Sequence, residues 1–219
     1  MLSYKESLKI LKETNALIEG HFILSSGLHS DKYIQCAKLM SKPDKAQLLC
    51  QSLADKIKSK FNKIIIVSNK DLVKNYTVID DCIEGQLGPL VGVLSAMKWI
   101  KKNNFSYSWV ATFPCDTPFF NISIIDEFTK AAKLNDSYLY FAKTEEKRHN
   151  IFGLWSLKLA DTLEEDIIKN NYRKVEKWAD KIGVKIINVL YDNTDPFFNI
   201  NTKEDLIEAK KILKNYKND

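Results

Sequence analysis

The chain has 219 residues, 45% of them hydrophobic and 28% charged, with a formal net charge of +5. That length suits one sizeable α/β domain, or one domain with an appendage, and the composition is ordinary for a globular protein. No apolar run approaches the ~20 residues that span a bilayer, and no signal peptide opens the chain, so a membrane protein is not expected.

Cys36, Cys50, Cys82 and Cys115 are widely spaced and form no CxxC or Cys/His cluster. Zinc and a disulfide framework are therefore not expected, and a reduced, cytoplasmic protein is. The positive charge comes from scattered lysines, with no basic stripe and interleaved aromatics of the kind that binds nucleic acid. It reads first as a solvated lysine-rich surface, which would also help to attract a polyanionic substrate.

In chain order, Ser3-Tyr4-Lys5-Glu6 is a capping box, and Leu8, Leu11 and Ile18 follow at helical spacing. Gly20 is the expected stop of that helix. A short apolar piece, His21 to Leu24, precedes a loop from Ser25 to Ser30, and Tyr33 to Cys36 reads as a short strand. Pro43 and Asp44 open a helix with Ala46, Leu49, Leu53 and Ile57 on its apolar face. Lys63 to Val67, KIIIV, is a β-branched run typical of a buried strand.

Tyr76 to Ile79 is a strand ending at Asp80-Asp81, and Gly88-Pro89-Leu90 starts a helix reaching about Lys102. Proline suits a first helical position, and the amides there favour an anion. Trp109 to Phe113 is a short buried strand, stopped by the stiff turn Pro114-Cys115-Asp116-Thr117-Pro118. Further on come a helix near 121–133, strands at Tyr138 to Ala142 and Ile151 to Trp155, and helices near 156–169 and 173–182 that stop at Gly183. Val184 to Leu190 is a strand, and Thr202 and Asp205 give capping signals for a last helix.

Strands alternate with helices from residue 63 onward. The pattern predicts an α/β fold whose mostly parallel, nucleotide-binding sheet is sandwiched by helices, with an atypical amino-terminal segment. Asp116 then sits just past the carboxyl end of a strand, the edge where α/β sheets bind ligands. A carboxylate there suits Mg²⁺, which usually takes one or two carboxylates plus substrate phosphates. It equally suits a cap for the helix that starts near Asn121.

VIDD at 78–81, GPLVG at 88–92, PCDTP at 114–118 and FFNINTKEDL at 197–206 resemble motifs of the molybdenum cofactor guanylyltransferase family, in matching order and spacing. The resemblance covers about residues 62–219 and implies a nucleotidyltransferase domain over 61–219. It implies transfer of GMP from GTP to molybdopterin, with release of pyrophosphate and with Mg²⁺. Carried over by position, Asp116 resembles the metal-binding and catalytic aspartate. Asp81 resembles an aspartate on the nucleotide side, Gly88 and Gly92 the glycines beside the nucleotide, and Asn69 an asparagine of that pocket. Asn199 and Asn201 match asparagines beside the pterin substrate. Transient contact with molybdopterin-handling proteins follows from the same resemblance.

The first 60 residues depart from that family, which opens with a strand and a glycine-rich phosphate loop. Glu19 to Pro43, EGHFILSSGLHSDKYIQCAKLMSKP, instead resembles the amino-terminal region of orotate phosphoribosyltransferase. The chain reads as a hybrid with its junction near Lys58 to Lys63.

A missing central strand would leave two neighbours with unpaired edges. Three expectations address this. Phe22-Ile23-Leu24 replaces the strand, between KIIIV and the Trp109 strand. Ser25-Ser26-Gly27 serves as a crude phosphate loop, and Lys32 supplies the cation. Turnover is expected to be impaired by the lost loop. The alternatives are a non-catalytic binding protein of the same fold, or an orotate phosphoribosyltransferase fragment.

Structural readings stand beside these. Asp80-Asp81 also reads as a pair of turn carboxylates, and Gly88-Pro89 as a plain helix start. Asn199 and Asn201 also suit a turn before a helix. His149 and Glu145-Glu146-Lys147-Arg148 read as a polar loop, where Lys147 or Arg148 would reach a substrate phosphate. Trp99, Trp109, Trp155 and Trp178 read as packing residues.

Overall fold

The computed structural model describes residues 4–14, 17–23, 29–34, 43–68, 75–85, 87–115, 117, 120–145, 147–190 and 197. Two compact units emerge: residues 1–57, 115–120 and 191–219 form one, and residues 58–114 and 121–190 the other.

In the first unit, α1 (Tyr4–Glu13) ends where Thr14 returns both its amide and its hydroxyl to the Ile10 carbonyl, at 3.0 and 2.9 Å. The helix expected to run on to Gly20 therefore stops a turn and a half early. Thr14 and Asn15 are weak helix formers, and Leu17 to Ile23 is rich in residues that prefer extended backbone. That stretch is β1 (Leu17–Ile23), which pairs antiparallel with β2 (His29–Ile34). Gly20 falls inside β1, where the register shifts between Glu19 and Phe22. Glycine at a strand irregularity is a common accommodation.

This hairpin corrects the replacement-strand expectation. Ile23 lies opposite His29 in a two-stranded sheet, not between the KIIIV and Trp109 strands. Lys32 lies opposite Glu19 in the same hairpin, and Ser25-Ser26-Gly27 lies outside the described residues. The next helix, α2 (Pro43–Ile57), buries Leu49, Cys50, Leu53, Ala54 and Ile57. Leu49, Leu53 and Ile57 belong to the apolar face read from its 3–4 residue spacing.

The second unit begins with parallel β3 (Ile65–Val67) and β4 (Thr77–Ile79). α3 (Pro89–Lys102) follows, then β5 (Trp109–Thr112), α4 (Ser123–Leu134) and β6 (Leu139–Lys143). The remainder is β7 (Arg148–Ser156), a 3₁₀ turn, α5 (Ala160–Ile168), α6 (Val175–Ile182) and β8 (Lys185–Asn188). The four-stranded sheet has the order β5-β7-β6-β8. β7 runs against both β5 and β6, and β8 runs with β6, so three of the four strands point the same way.

One face of this sheet packs on α3, α5 and α6. Leu94, Met97, Leu139, Phe141, Trp155, Leu163 and Trp178 form the centre of that core. The other face meets α4, where the Phe113 ring lies 6.2 Å from Phe128 and 6.0 Å from Phe152. Helices therefore cover both faces, as the alternating pattern predicts. The expected last helix, near 202, lies outside the described residues.

Of the polar run, Glu145 and Lys147 lie between β6 and β7, where the Thr144 amide donates to the Lys147 carbonyl at 3.0 Å, while Arg148 already belongs to β7. His149 lies inside β7 and is buried, with Nε2 3.2 Å from the Thr144 hydroxyl. Burial, reinforced by the Lys147 charge, pushes its imidazole down to about 4. The loop assignment failed because a single buried polar pair at a hairpin end leaves no periodic trace in sequence.

Candidate nucleotide site

The carboxyl ends of β3 and β4 lie together, joined past the ladder by the Ser68 amide on the Ile79 carbonyl at 2.9 Å. Asp80 and Asp81 follow β4 directly. Their loop is tied to α3 by the Cys82 amide, which donates to the Ser95 hydroxyl at 2.8 Å. Ser95 in turn donates to the Val91 carbonyl at 2.7 Å. The buried serine thus fixes the carboxylate-bearing loop against the first turns of α3. Sequence reading missed it, since one serine on an apolar helix face gives no signal by itself.

α3 also presents Gly92 to this corner, whereas a Cβ on Gly88, the residue before α3, would face the Arg173 carbonyl at 3.6 Å. A Cβ built on Gly92 would sit 4.0 Å from Asp81 Oδ1 and 3.7 Å from Val67 Cγ1. Asp81 and Gly92, predicted as site residues from separate motifs, are therefore neighbours in space. Burial, followed by the charge of Asp80, raises the pKa of the half-buried Asp81. A cation or a hydrogen-bond donor arriving there would relieve that repulsion.

Gly88 caps α3 with φ 89° and ψ −175°, a region open essentially to glycine alone. Gly88→Ala should therefore lose about 1–3 kcal/mol of folding stability by urea titration. A loss under about 0.5 kcal/mol would refute the backbone argument. Gly92→Ala is the contrast. Its new methyl makes only ordinary contacts, and alanine is the better helix former. Unchanged stability with weakened nucleotide binding is the expected result if Gly92 serves close ligand approach.

The second strand end of interest is that of β5. Thr112 Oγ1 accepts from Trp155 Nε1 at 2.8 Å and donates to the Ile151 carbonyl at 2.6 Å. Across the sheet, Gly153 leaves room for the Phe141 ring, since a Cβ there would come within 2.7 Å of it. These contacts hold the last residue of β5 before the turn that carries Asp116. Asp116 itself lies outside the described residues, as do Asn69, Asn199 and Asn201. The alternative reading of Asp116 as a helix cap meets a competitor, because Asn121 Oδ1 accepts from the Ser123 amide at 3.0 Å where α4 starts. Arg148 donates to Asn150 at 2.8 Å and to Asp180 of α6 at 2.6 Å.

Within the first unit, Phe120 is held by α2. Lys56 on α2 donates to the Phe120 carbonyl, and its ammonium stands 4.5 Å from the centre of the Phe120 ring. Burial draws Lys56 down to about 8. The side chain of Cys115 lowers the pKa of Cys50, also on α2, against the opposing effect of burial.

The chain was compared with known proteins. It is 28% identical over 161 residues to a molybdenum cofactor guanylyltransferase of Nitrobacter hamburgensis, covering 72% of this chain and 77% of that protein. A Rhizobium rhizogenes protein of the same name is 33% identical over 141 residues, covering 62% of this chain and 65% of its own length. The chain therefore spans between about two thirds and three quarters of these relatives. A solved structure of molybdopterin-guanine dinucleotide biosynthesis protein A from Archaeoglobus fulgidus superposes with a TM-score of 0.59 at 19% identity, covering 76% of this chain and 86% of that one. A protein from Aquifex aeolicus superposes with a TM-score of 0.60 at 22% identity, covering 78% and 87%. These two structures establish a nucleotidyltransferase-like α/β fold. The model of the MobA-like NTP transferase domain matches residues 23–182, beginning ahead of the junction expected near 58–63, and the chain belongs to that family.

Proposed function

We propose that this protein transfers GMP from GTP to the phosphate of molybdopterin and releases pyrophosphate. The observation that carries the reading is the family match over residues 23–182, to which relatives named molybdenum cofactor guanylyltransferase add the substrates. The approach of Asp81 to Gly92 beside two aligned strand ends supports it.

Asp116 is the proposed metal ligand and catalytic carboxylate. Asn69, Asp81, Gly88 and Gly92 line the nucleotide side, and Asn199 and Asn201 the pterin side. Adjacent carboxylates, one raised by burial and repulsion, are a donor set that fits a hard cation arriving with a triphosphate. Bound Mg²⁺ would supply charge stabilisation for the leaving pyrophosphate. The protein groups orient the two substrates, and the molybdopterin phosphate is the nucleophile, so no protein base is required.

The first 60 residues are proposed to be a segment related to the front of orotate phosphoribosyltransferase, joined to a nucleotidyltransferase domain over 61–219. Without a glycine-rich phosphate loop, turnover is proposed to be slow. Cytoplasmic residence and brief contact with molybdopterin-handling proteins complete the reading. Among the described residues, no helix is long and apolar enough to cross a membrane.

The pairing of Ile23 with His29 favours a second reading, a nucleotide-binding protein without turnover. Mg-GTP binding followed by pyrophosphate release separates the two. Mg-GTP at 100-fold excess over its dissociation constant should add about 2.7 kcal/mol of stability. For a chain of this size that raises the melting temperature by roughly 5–10 °C. No shift with millimolar Mg-GTP would defeat both readings. A shift without pyrophosphate release in the presence of molybdopterin would select the second. CTP and orotate run in parallel test base choice and the kinship of the amino-terminal segment.

A further inference from the structure

Lys56, near the end of α2, carries a charge that the transfer of GMP does not use. Its ammonium donates to the Phe120 carbonyl at 2.5 Å and stands 4.5 Å from the centre of the Phe120 ring. Both residues belong to the first unit, as does the whole of 115–120, the short segment that includes Asp116. Thr117 and Phe120 of that segment are buried, at 4% and 0% exposure. A carbonyl on a residue sealed from water needs a donor, and Lys56 supplies one.

A neutral donor would meet that need. An ammonium is the costlier choice, since burial draws Lys56 down to about 8 and so disfavours its charged form. What the charge adds is geometry. A charge-assisted hydrogen bond is shorter and stronger than a neutral one. The pull of a cation on a ring face then fixes the Phe120 side chain as well as its backbone. In sequence, Asp116 is bracketed by two anchored residues. Thr112 is locked by Trp155 and the Ile151 carbonyl, and Phe120 is fixed by Lys56.

We propose that Lys56 is a positioning residue for the metal carboxylate: by holding the carbonyl and ring of Phe120, it fixes the 115–120 segment and with it the aim of Asp116. The effect on the metal rests on the functional reading of Asp116; the anchoring of the segment does not. Lys56 acts through the backbone, and a reacting group displaced by about 1 Å can lose on the order of 10²-fold in rate.

The test compares the full-length parent with Lys56→Met, which keeps an apolar stem and removes the charge and the donor. Relief of a buried charge and loss of the carbonyl's donor act on stability in opposite directions, so the melting temperature should fall by no more than roughly 3 °C. In hydrogen exchange read by mass spectrometry, amides of a peptide spanning 115–122 should exchange roughly tenfold faster than in the parent, with α1 and α3 unchanged. The kcat for pyrophosphate release should fall roughly 10- to 10²-fold, and half-saturating Mg²⁺ should rise. The KM for molybdopterin should stay the same. Lys56→Arg keeps a charged donor able to lie over a ring, and should lose less than Lys56→Met in every readout. Lys60→Met removes only an exposed ion pair with Asp126 and should change none of them.

Unchanged exchange across 115–122 in Lys56→Met would overturn the proposal. A large fall in melting temperature shared equally by Lys56→Met and Lys56→Arg, with exchange raised throughout the first unit, would make Lys56 a packing residue and overturn it too. Faster exchange of the segment with unaltered kcat and Mg²⁺ dependence would refute the link to the metal. Should the parent itself neither bind Mg-GTP nor release pyrophosphate, the guanylyltransferase reading fails, while the exchange experiment still decides whether Lys56 anchors the segment.

Discussion

Asp116→Asn should reduce pyrophosphate release by at least about 10³-fold while leaving the melting temperature within a degree or two of the parent. The factor corresponds to roughly 4 kcal/mol of transition-state stabilisation, the scale expected when a metal loses its carboxylate. The surrounding architecture supports the second half of the statement. β5 is locked at Thr112 by Trp155 and the Ile151 carbonyl, and Asn121 already receives the first amide of α4. Asparagine keeps the size of the side chain and removes only its charge. Turnover within tenfold of the parent would rule out the metal role, and a large fall in melting temperature would mean that Asp116 is a structural cap after all.

Asp166→Ala should cost about 3–5 kcal/mol, roughly 10 °C in melting temperature, without touching a substrate group. Asp166 is 1% exposed on α5 and gathers three donors: Trp178 Nε1 at 2.9 Å, Asn170 Nδ2 at 2.7 Å, and the Lys181 ammonium. Burial alone would raise its pKa, but the hydrogen bonds from Lys181, Asn170 and Trp178 outweigh it and hold the carboxyl low. Because the folded-state value is depressed, the stability it contributes is present above the ordinary carboxylate value. It is lost as pH falls through the lower folded-state value.

Alanine leaves a buried indole N–H without an acceptor, which is what makes this position severe. The effect should reach the site region, since Trp178 stacks on Trp155 at 6.0 Å and Trp155 holds Thr112. Urea titration measures it, and a change under about 1 kcal/mol would show that the network is dispensable.

Local pattern carried much of the architecture. KIIIV, the strand at 109–112, and the helices starting at Pro43 and Pro89 were legible because β-branched runs, alternation and a proline at a helix start act over a few residues. The motif order around VIDD, GPLVG and PCDTP was legible for the same reason, and it agrees with the family match over residues 23–182.

What local pattern could not carry was partner choice. Leu17 to Ile23 has the composition of a strand, but whether it enters a large sheet or folds back on His29 to Ile34 depends on which edge is available. No residue within the segment records that. The placement of His149 beside Thr144, the tie from Ser95 to the Asp81 loop, and the gathering of donors on Asp166 are likewise contacts between distant residues. Each is a single polar pairing with no period. The residues of the corner at Asp81 and Gly92 were thus singled out by short motifs. Its assembly came only when packing brought two strand ends and a helix start to one place.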